Sequence, residues 1–166
     1  MEKKDKLVVL ISITSVVIAV LAAISNFKAS GHSTQAVLAQ SQASDQWAFY
    51  QSKSIKQHTY EVHLELLHLE QDRKDVQSLI KGYADKIVRY DKEKEEIKTK
   101  AESLEHVRDD ARRHGGEFGI AVMFFQVAIL LSAIAGLTRK LLLWVASVSV
   151  GAIGVIYFFN GFYLFF

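Results

Sequence analysis

The 166-residue chain contains no cysteine and no proline. The first absence rules out disulfides, thiolate metal sites and cysteine nucleophiles, and leaves the redox compartment open. The second removes the residue that most effectively breaks a helix, a composition suited to long uninterrupted helices. Charge is also missing over three long stretches, Leu7–Phe27, Phe118–Leu137 and Leu141–Phe166. Finally, no basic stripe is present. Between Lys28 and Glu117 stand 15 Lys and Arg against 16 Asp and Glu, a nearly neutral mixture without the clustered cations that nucleic acid requires.

Each charge-free stretch is about 20 residues or longer, enough at about 1.5 Å per residue to cross a hydrocarbon core of about 30 Å. The fold class expected is therefore an all-α membrane protein with three transmembrane helices. A long helical-hairpin or coiled-coil domain is expected between the first and the second. Residues 1–28 form an amino-terminal membrane anchor in this reading, 29–116 the helical domain and 117–166 a two-helix membrane hairpin. The start, MEKKDK followed by an apolar run, resembles a signal peptide, but the run is too long for a typical cleaved one, so an uncleaved anchor is expected.

The helical domain is organised by a seam. Val62, Leu66, Leu69, Arg73, Val76, Ile80, Tyr83, Ile87, Tyr90, Lys94, Ile97, Ala101, Leu104, Arg108 and Ala111 follow one another at alternating steps of four and three. The residues between are mostly charged, so the stripe is narrow and needs a partner helix. Two arrangements fit. The seam passes through Gln71–Asp75 without losing phase, as one helix would. Nearly equal arms from Lys28 and back to Glu117 instead favour an antiparallel hairpin turning between Leu69 and Gly82. Breaks are expected at Asn26–Ser33, where Gly31 allows positive φ and Ser33 or Thr34 can cap, and again at Gly115-Gly116.

Small residues recur at four-residue spacing in the spans: Ser15, Ala19 and Ala23, then Ser132 and Gly136, then Ser147 and Gly151. Such stripes let helices approach closely. Gln126 lies mid-span in the second membrane helix and Asn160 late in the third, where amides are expected to hydrogen-bond to a neighbouring helix. Thr138-Arg139-Lys140 leaves room only for a tight turn. The last ten residues, Tyr157–Phe166, contain seven aromatics, suited to a membrane interface. Lys3, Lys4, Lys6, Arg139 and Lys140 share one side of a three-span topology. The positive-inside rule makes that side cytoplasmic and the helical domain periplasmic.

The run Ser33-Thr34-Gln35, followed by LAQSQASDQWAFYQSKSIK, resembles a bacterial membrane-protein family, domain of unknown function 4337. Gln42–Lys56 is the specific part, and beyond it the similarity is one of hydropathy and helical pattern. The resemblance implies a bacterial inner-membrane location and no activity. Asp45, Gln46, Trp47, Tyr50, Gln51 and Lys53 make this segment a candidate interaction surface for a partner protein or polar headgroup. In the alternative reading Trp47 and Tyr50 pack against the returning arm near Leu104 and Ala111. Helical geometry puts Trp47, Tyr50, Gln51 and Ser54 on one face and turns Asp45 and Lys53 away.

No phosphate-binding glycine loop, Ser/His/Asp arrangement or carboxylate pair in a pocket is evident, so no enzymatic activity and no cofactor are expected. Glu65 and His68 form one Glu-x-x-His pair, where a di-iron bundle uses two such pairs and two further Glu, so a symmetric oligomer would have to supply the second pair. The expectation is a membrane-anchored structural or interaction protein that self-associates through its seam, of which Val76, Ile80, Tyr83, Ile87, Tyr90, Ile97 and Leu104 are the central members. The expected partners are the bilayer, further copies of the chain and a protein docked on the helical domain. The alternative is a small channel or transport accessory built by oligomerising the spans.

Overall fold

The computed structural model describes residues 2–69 and 74–165, with side chains over 7–69 and 76–165. Three α-helices make up these residues: α1 (Glu2–His68), α2 (Lys74–Thr138) and α3 (Leu141–Tyr163). Each is long and apolar enough to cross a membrane. The expected turn at Gln71–Asp75 falls largely outside the described residues, but α1 has ended and α2 begun within the Leu69–Gly82 window. Arg73 lies outside them as well.

Two expected breaks do not occur. α1 runs through Asn26–Ser33, where Gly31 keeps negative φ. Thr34 donates its hydroxyl back to the Ser30 carbonyl at 3.0 Å, a mid-helix bond in place of a cap. α2 likewise passes through Gly115 and Gly116. A glycine costs a helix only about 1 kcal/mol, too little to interrupt flanking turns that are held by packing. At 138–140 the expected tight turn is present, with Arg139 in the left-handed region at φ 51.

The chain divides into two compact units, Met1–Ala36 with Asp109–Phe166, and Val37–Arg108. In the first, α2 runs antiparallel to α1 and to α3. Ser15 bonds Ser132 and Gly136 faces Ile11, while Ser147 donates to the Ala128 carbonyl and Gly154 and Gly161 lie against Phe125 and Phe118. Phe118 and Phe125 are fully buried, with Ile18, Ala121 and Ala128 completing the centre. The packing is large against small: each phenylalanine ring occupies the space left by a missing Cβ on α3. Hydroxyls in the spans return to carbonyls one turn back, as Ser12 to Val8, Ser25 to Leu21 and Ser149 to Val145 do. This gives each hydroxyl a partner within its own helix. Many large apolar side chains lie on its outer surface, with Val9, Val16, Val20, Leu130, Leu142 and Ile156 exposed.

Of the small-residue stripes, those on α2 and α3 lie at close helix contacts as expected, and the one on α1 does so only through Ser15. Ser132, Ser147 and Gly151 are buried and Gly136 is half-buried within the chain, so they are not free to line a ring of copies. Ala19 and Ala23 face outward, and the inward face of the first span is Ile11, Ser15, Ile18, Ala22 and Ser25.

In the second unit the cross-helix pairs are Gln40–Arg108, Trp47–Glu105, Lys53–Glu93 and Tyr60–Lys86. One partner's number falls as the other's rises, so the two segments lie side by side and antiparallel. On α2, Val76, Tyr90 and Ala101 are buried, while Ile80, Tyr83, Ile87, Lys94, Ile97, Leu104 and Arg108 are half-buried, on the seam phase read from sequence. On α1 the phase read from sequence is the wrong one. Val62, Leu66 and Leu69 are exposed, and the inward positions are Tyr50, Lys53, Gln57, Tyr60, Leu64 and Leu67. A helix ends between the two arms, so continuity of phase across residues 69–73 carried no structural meaning. The inward residues of α1 are largely polar or aromatic, which concealed them.

Candidate interaction surface

The Gln42–Lys56 segment begins with Ala43, fully buried, where a small side chain lets the two helices close up. One turn on, Trp47 is half-buried, and its indole Nε1–H donates to Glu105 Oε1 at 2.9 Å. Its ring meets Tyr50 edge-on at 5.7 Å between centroids. A buried indole needs such an acceptor, because its N–H has no other means of replacing water. Lys53 follows on the same face. Its ammonium contacts Glu93 Oε2 at 2.6 Å and lies 5.2 Å from the Tyr90 ring centroid. The hydrogen bond from Lys53 holds the Glu93 carboxyl below its usual value of 4.5.

This face is not the one drawn from the helical wheel. Trp47, Tyr50, Lys53 and Ser54 point inward together, Gln46 is half-buried, and Asp45 and Gln51 are exposed. Lys53 is thus moved inward and Gln51 outward. The inward face centres on Tyr50 rather than between Trp47 and Gln51, and Glu93 and the Tyr90 ring give the Lys53 ammonium its partners there.

Further along, the contact becomes a ladder of tyrosines and cations. Lys86 lies 4.7 Å from the Tyr60 ring and 5.7 Å from the Tyr83 ring. Tyr60 stacks on Tyr90 at 5.9 Å, and Lys94 covers Tyr50 at 5.5 Å. Cations over aromatic faces contribute about 0.5–1 kcal/mol at exposed sites. Tyr60, Lys86, Glu93 and Glu105 were not singled out from sequence, where each resembles one more solvated polar residue. Their cross-helix partners follow from register alone.

Outside this contact, α1 carries a second stripe at the same spacing. Ala48, Ser52, Ile55, Thr59, Val62, Leu66 and Leu69 are all exposed, with Ile55 at 68%, Leu66 at 58% and Leu69 at 82%. Glu65 and His68 are exposed beside it. Among the described residues no three His, Asp or Glu side chains gather as metal ligands.

The amides Gln126 and Asn160, both within long apolar stretches, differ sharply. Asn160 is fully buried, and its Oδ1 accepts the Phe165 backbone N–H at 2.7 Å. Its carbonyl accepts the Leu164 N–H at 2.8 Å, so one residue closes the end of α3 twice. Gln126 is exposed on the apolar outer surface of the same unit.

In that unit His32 and His114 also stack, 5.2 Å between centroids, and Phe118 stacks on His32 at 5.8 Å. His114 Nδ1 donates to the Gly161 carbonyl at 2.8 Å, since a carbonyl can only accept, and Nε2 lies 3.8 Å from Asp110. Burial pushes the His32 pKa below 6.5, helped by the nearby His114 and Lys28 and opposed by Asp110. Gly115 leaves room for the His32 Cβ, 3.2 Å from where a Cβ of its own would stand.

No curated protein and no solved structure shows significant similarity to the chain. The family described as a domain of unknown function (DUF4337) matches residues 7–164, almost the whole length. The sequence, three long apolar helices included, thus belongs to the DUF4337 family.

Proposed function

We propose that this protein is a membrane-anchored, non-enzymatic interaction protein that self-associates. In this reading three spans fix it in a bacterial inner membrane, with the amino terminus and the 138–140 turn cytoplasmic. Val37–Arg108 is then an antiparallel coiled-coil hairpin in the periplasm. The observation that carries the proposal is the exposed stripe on α1. The inward seam is already filled by the chain's own second arm, so it offers nothing to a partner. Ile55, Val62, Leu66 and Leu69 repeat the same heptad spacing on a free face. A narrow apolar stripe of this period is what a further helix packs against.

The channel or transport-accessory reading loses its main support, because Ser132, Ser147 and Gly151 are buried between helices of one chain. The experiment compares two double variants by the mass of the detergent-solubilised particle and by far-UV circular dichroism. Val62→Asp with Leu66→Asp should reduce a multimeric particle toward the single chain and leave helicity intact. Ile87→Asp with Ile97→Asp, which strike half-buried seam positions, should lower helicity instead. A wild-type particle of one chain, or an unchanged mass in the Val62/Leu66 variant, refutes docking through this stripe.

A further inference from the structure

Gln126 is a polar side chain on the lipid-facing side of α2. The exposed residues around it, Met123, Val127, Leu130 and Ile134, are all apolar. Among the described residues it makes no hydrogen bond, whereas every serine and threonine hydroxyl cited above from the spans returns to a carbonyl or meets another hydroxyl. The charge-free span runs from Phe118 to Leu137, so Gln126 stands about 12 Å from one end and about 16 Å from the other. A glutamine side chain cannot reach headgroups or water over that depth. Its amide has one donor group and one acceptor, and hydrocarbon satisfies neither.

We propose that a second copy of this chain covers this face, the two Gln126 amides hydrogen-bonding reciprocally across a two-fold axis normal to the membrane. The choice of occupant follows from depth and chemistry. Every copy enters the bilayer through the same three spans, so each carries an amide at the same level. An amide is also self-complementary: the N–H of one meets the carbonyl of the other in both directions, as an isologous contact requires. A lipid chain brings no polar group to this depth. The surrounding Met123, Val127 and Leu130 supply the packing that holds the amides together.

The inference rests on the self-association proposed above, but it places a contact in the membrane that the α1 stripe does not provide. The cysteine-free chain gives a clean background for the test. Leu130→Cys, one turn from Gln126 on the same face, is compared in oxidised membranes with Val20→Cys, which is exposed on α1. The Leu130→Cys protein should form disulfide-linked pairs and the Val20→Cys protein should not. Adding Gln126→Leu should weaken association about eightfold to three-hundredfold, the range of the two reciprocal interhelical hydrogen bonds lost together, and Gln126→Asn should weaken it less.

Equal cross-linking at both positions, none at Leu130→Cys, or no response to Gln126→Leu overturns the pairing. A multimeric wild-type particle with a silent Leu130→Cys removes this contact alone. A particle of one chain removes the self-association reading with it. Because Leu130→Cys keeps Gln126, its result stands even if the Gln126→Leu protein misfolds.

Discussion

Replacing Gly154 by alanine adds one methyl group where the structure has no room for it. An alanine Cβ there would stand 2.8 Å from both Cδ1 and Cε1 of Phe125 and 3.3 Å from the Phe124 Cβ. Carbon atoms at rest sit about 3.5–4.0 Å apart, so ring and helix must separate by about 0.7 Å or more. The ring cannot swing aside, because Phe125 is fully buried between Ala121 and Ala128 on its own helix and Ile18 on α1. Overpacking of this kind costs about 1–3 kcal/mol. Alanine also brings a helix-propensity gain of about 1 kcal/mol, which would mask part of the loss.

The same substitution at Gly119 isolates the contact. Gly119 lies in the α2 span with nothing within 4 Å of its ideal Cβ. The backbone gain is shared, so the difference between Gly154→Ala and Gly119→Ala reports overpacking alone, and about 1–3 kcal/mol is expected. Unfolding of the micellar protein by increasing mole fraction of a denaturing detergent, followed by far-UV circular dichroism, measures both. Phe125→Leu in the Gly154→Ala background should recover part of the loss through a coupling of at least about 0.5 kcal/mol. If Gly154→Ala is as stable as Gly119→Ala, the glycine-against-ring account of how α3 packs is wrong.

Two further outcomes follow from the same unit. The His32 pKa is lowered in the fold, so the neutral imidazole is the form the structure favours. That contribution is fully present above the ordinary value of 6.5 and is lost as pH falls below it through the folded-state value. Stability should therefore decline as pH falls below 6.5, and His32→Phe, which preserves stacking, should flatten that decline; an equal slope in both proteins would refute it. Asn160→Ala removes the side-chain acceptor of the Phe165 N–H in a buried setting, and a loss of about 1–3 kcal/mol is expected. Faster hydrogen exchange at the Phe165 amide is the local readout, and unaltered exchange would count against the cap.

Much of this protein follows from composition alone. Three charge-free runs of spanning length and a proline-free middle leave little but three long helices, because a backbone in hydrocarbon must satisfy its own hydrogen bonds. The α2 seam was legible too, as Val76 to Leu104 are apolar or aromatic at the turning points of a charged helix. The α1 face was not legible. Lys53 and Tyr60 turn inward where Glu93, Lys86 and Tyr90 stand opposite them, and that register is a property of two segments far apart in sequence.

Glycine and histidine mark the same limit. Gly31 and Gly115 read as breaks, since a local rule sees only what a glycine permits. The structure keeps the helix and uses Gly115 to admit His32. Gln126 and Asn160 are alike in sequence, two amides in apolar runs. Rotation of each helix in the packed unit buries Asn160 over the end of α3 and leaves Gln126 facing out. Sequence by itself determined the number, length and chemistry of the helices through local hydrogen bonding and hydropathy. Tertiary structure alone decided which side of each helix faces another, because that choice depends on the sum of contacts with a partner surface that no local window contains.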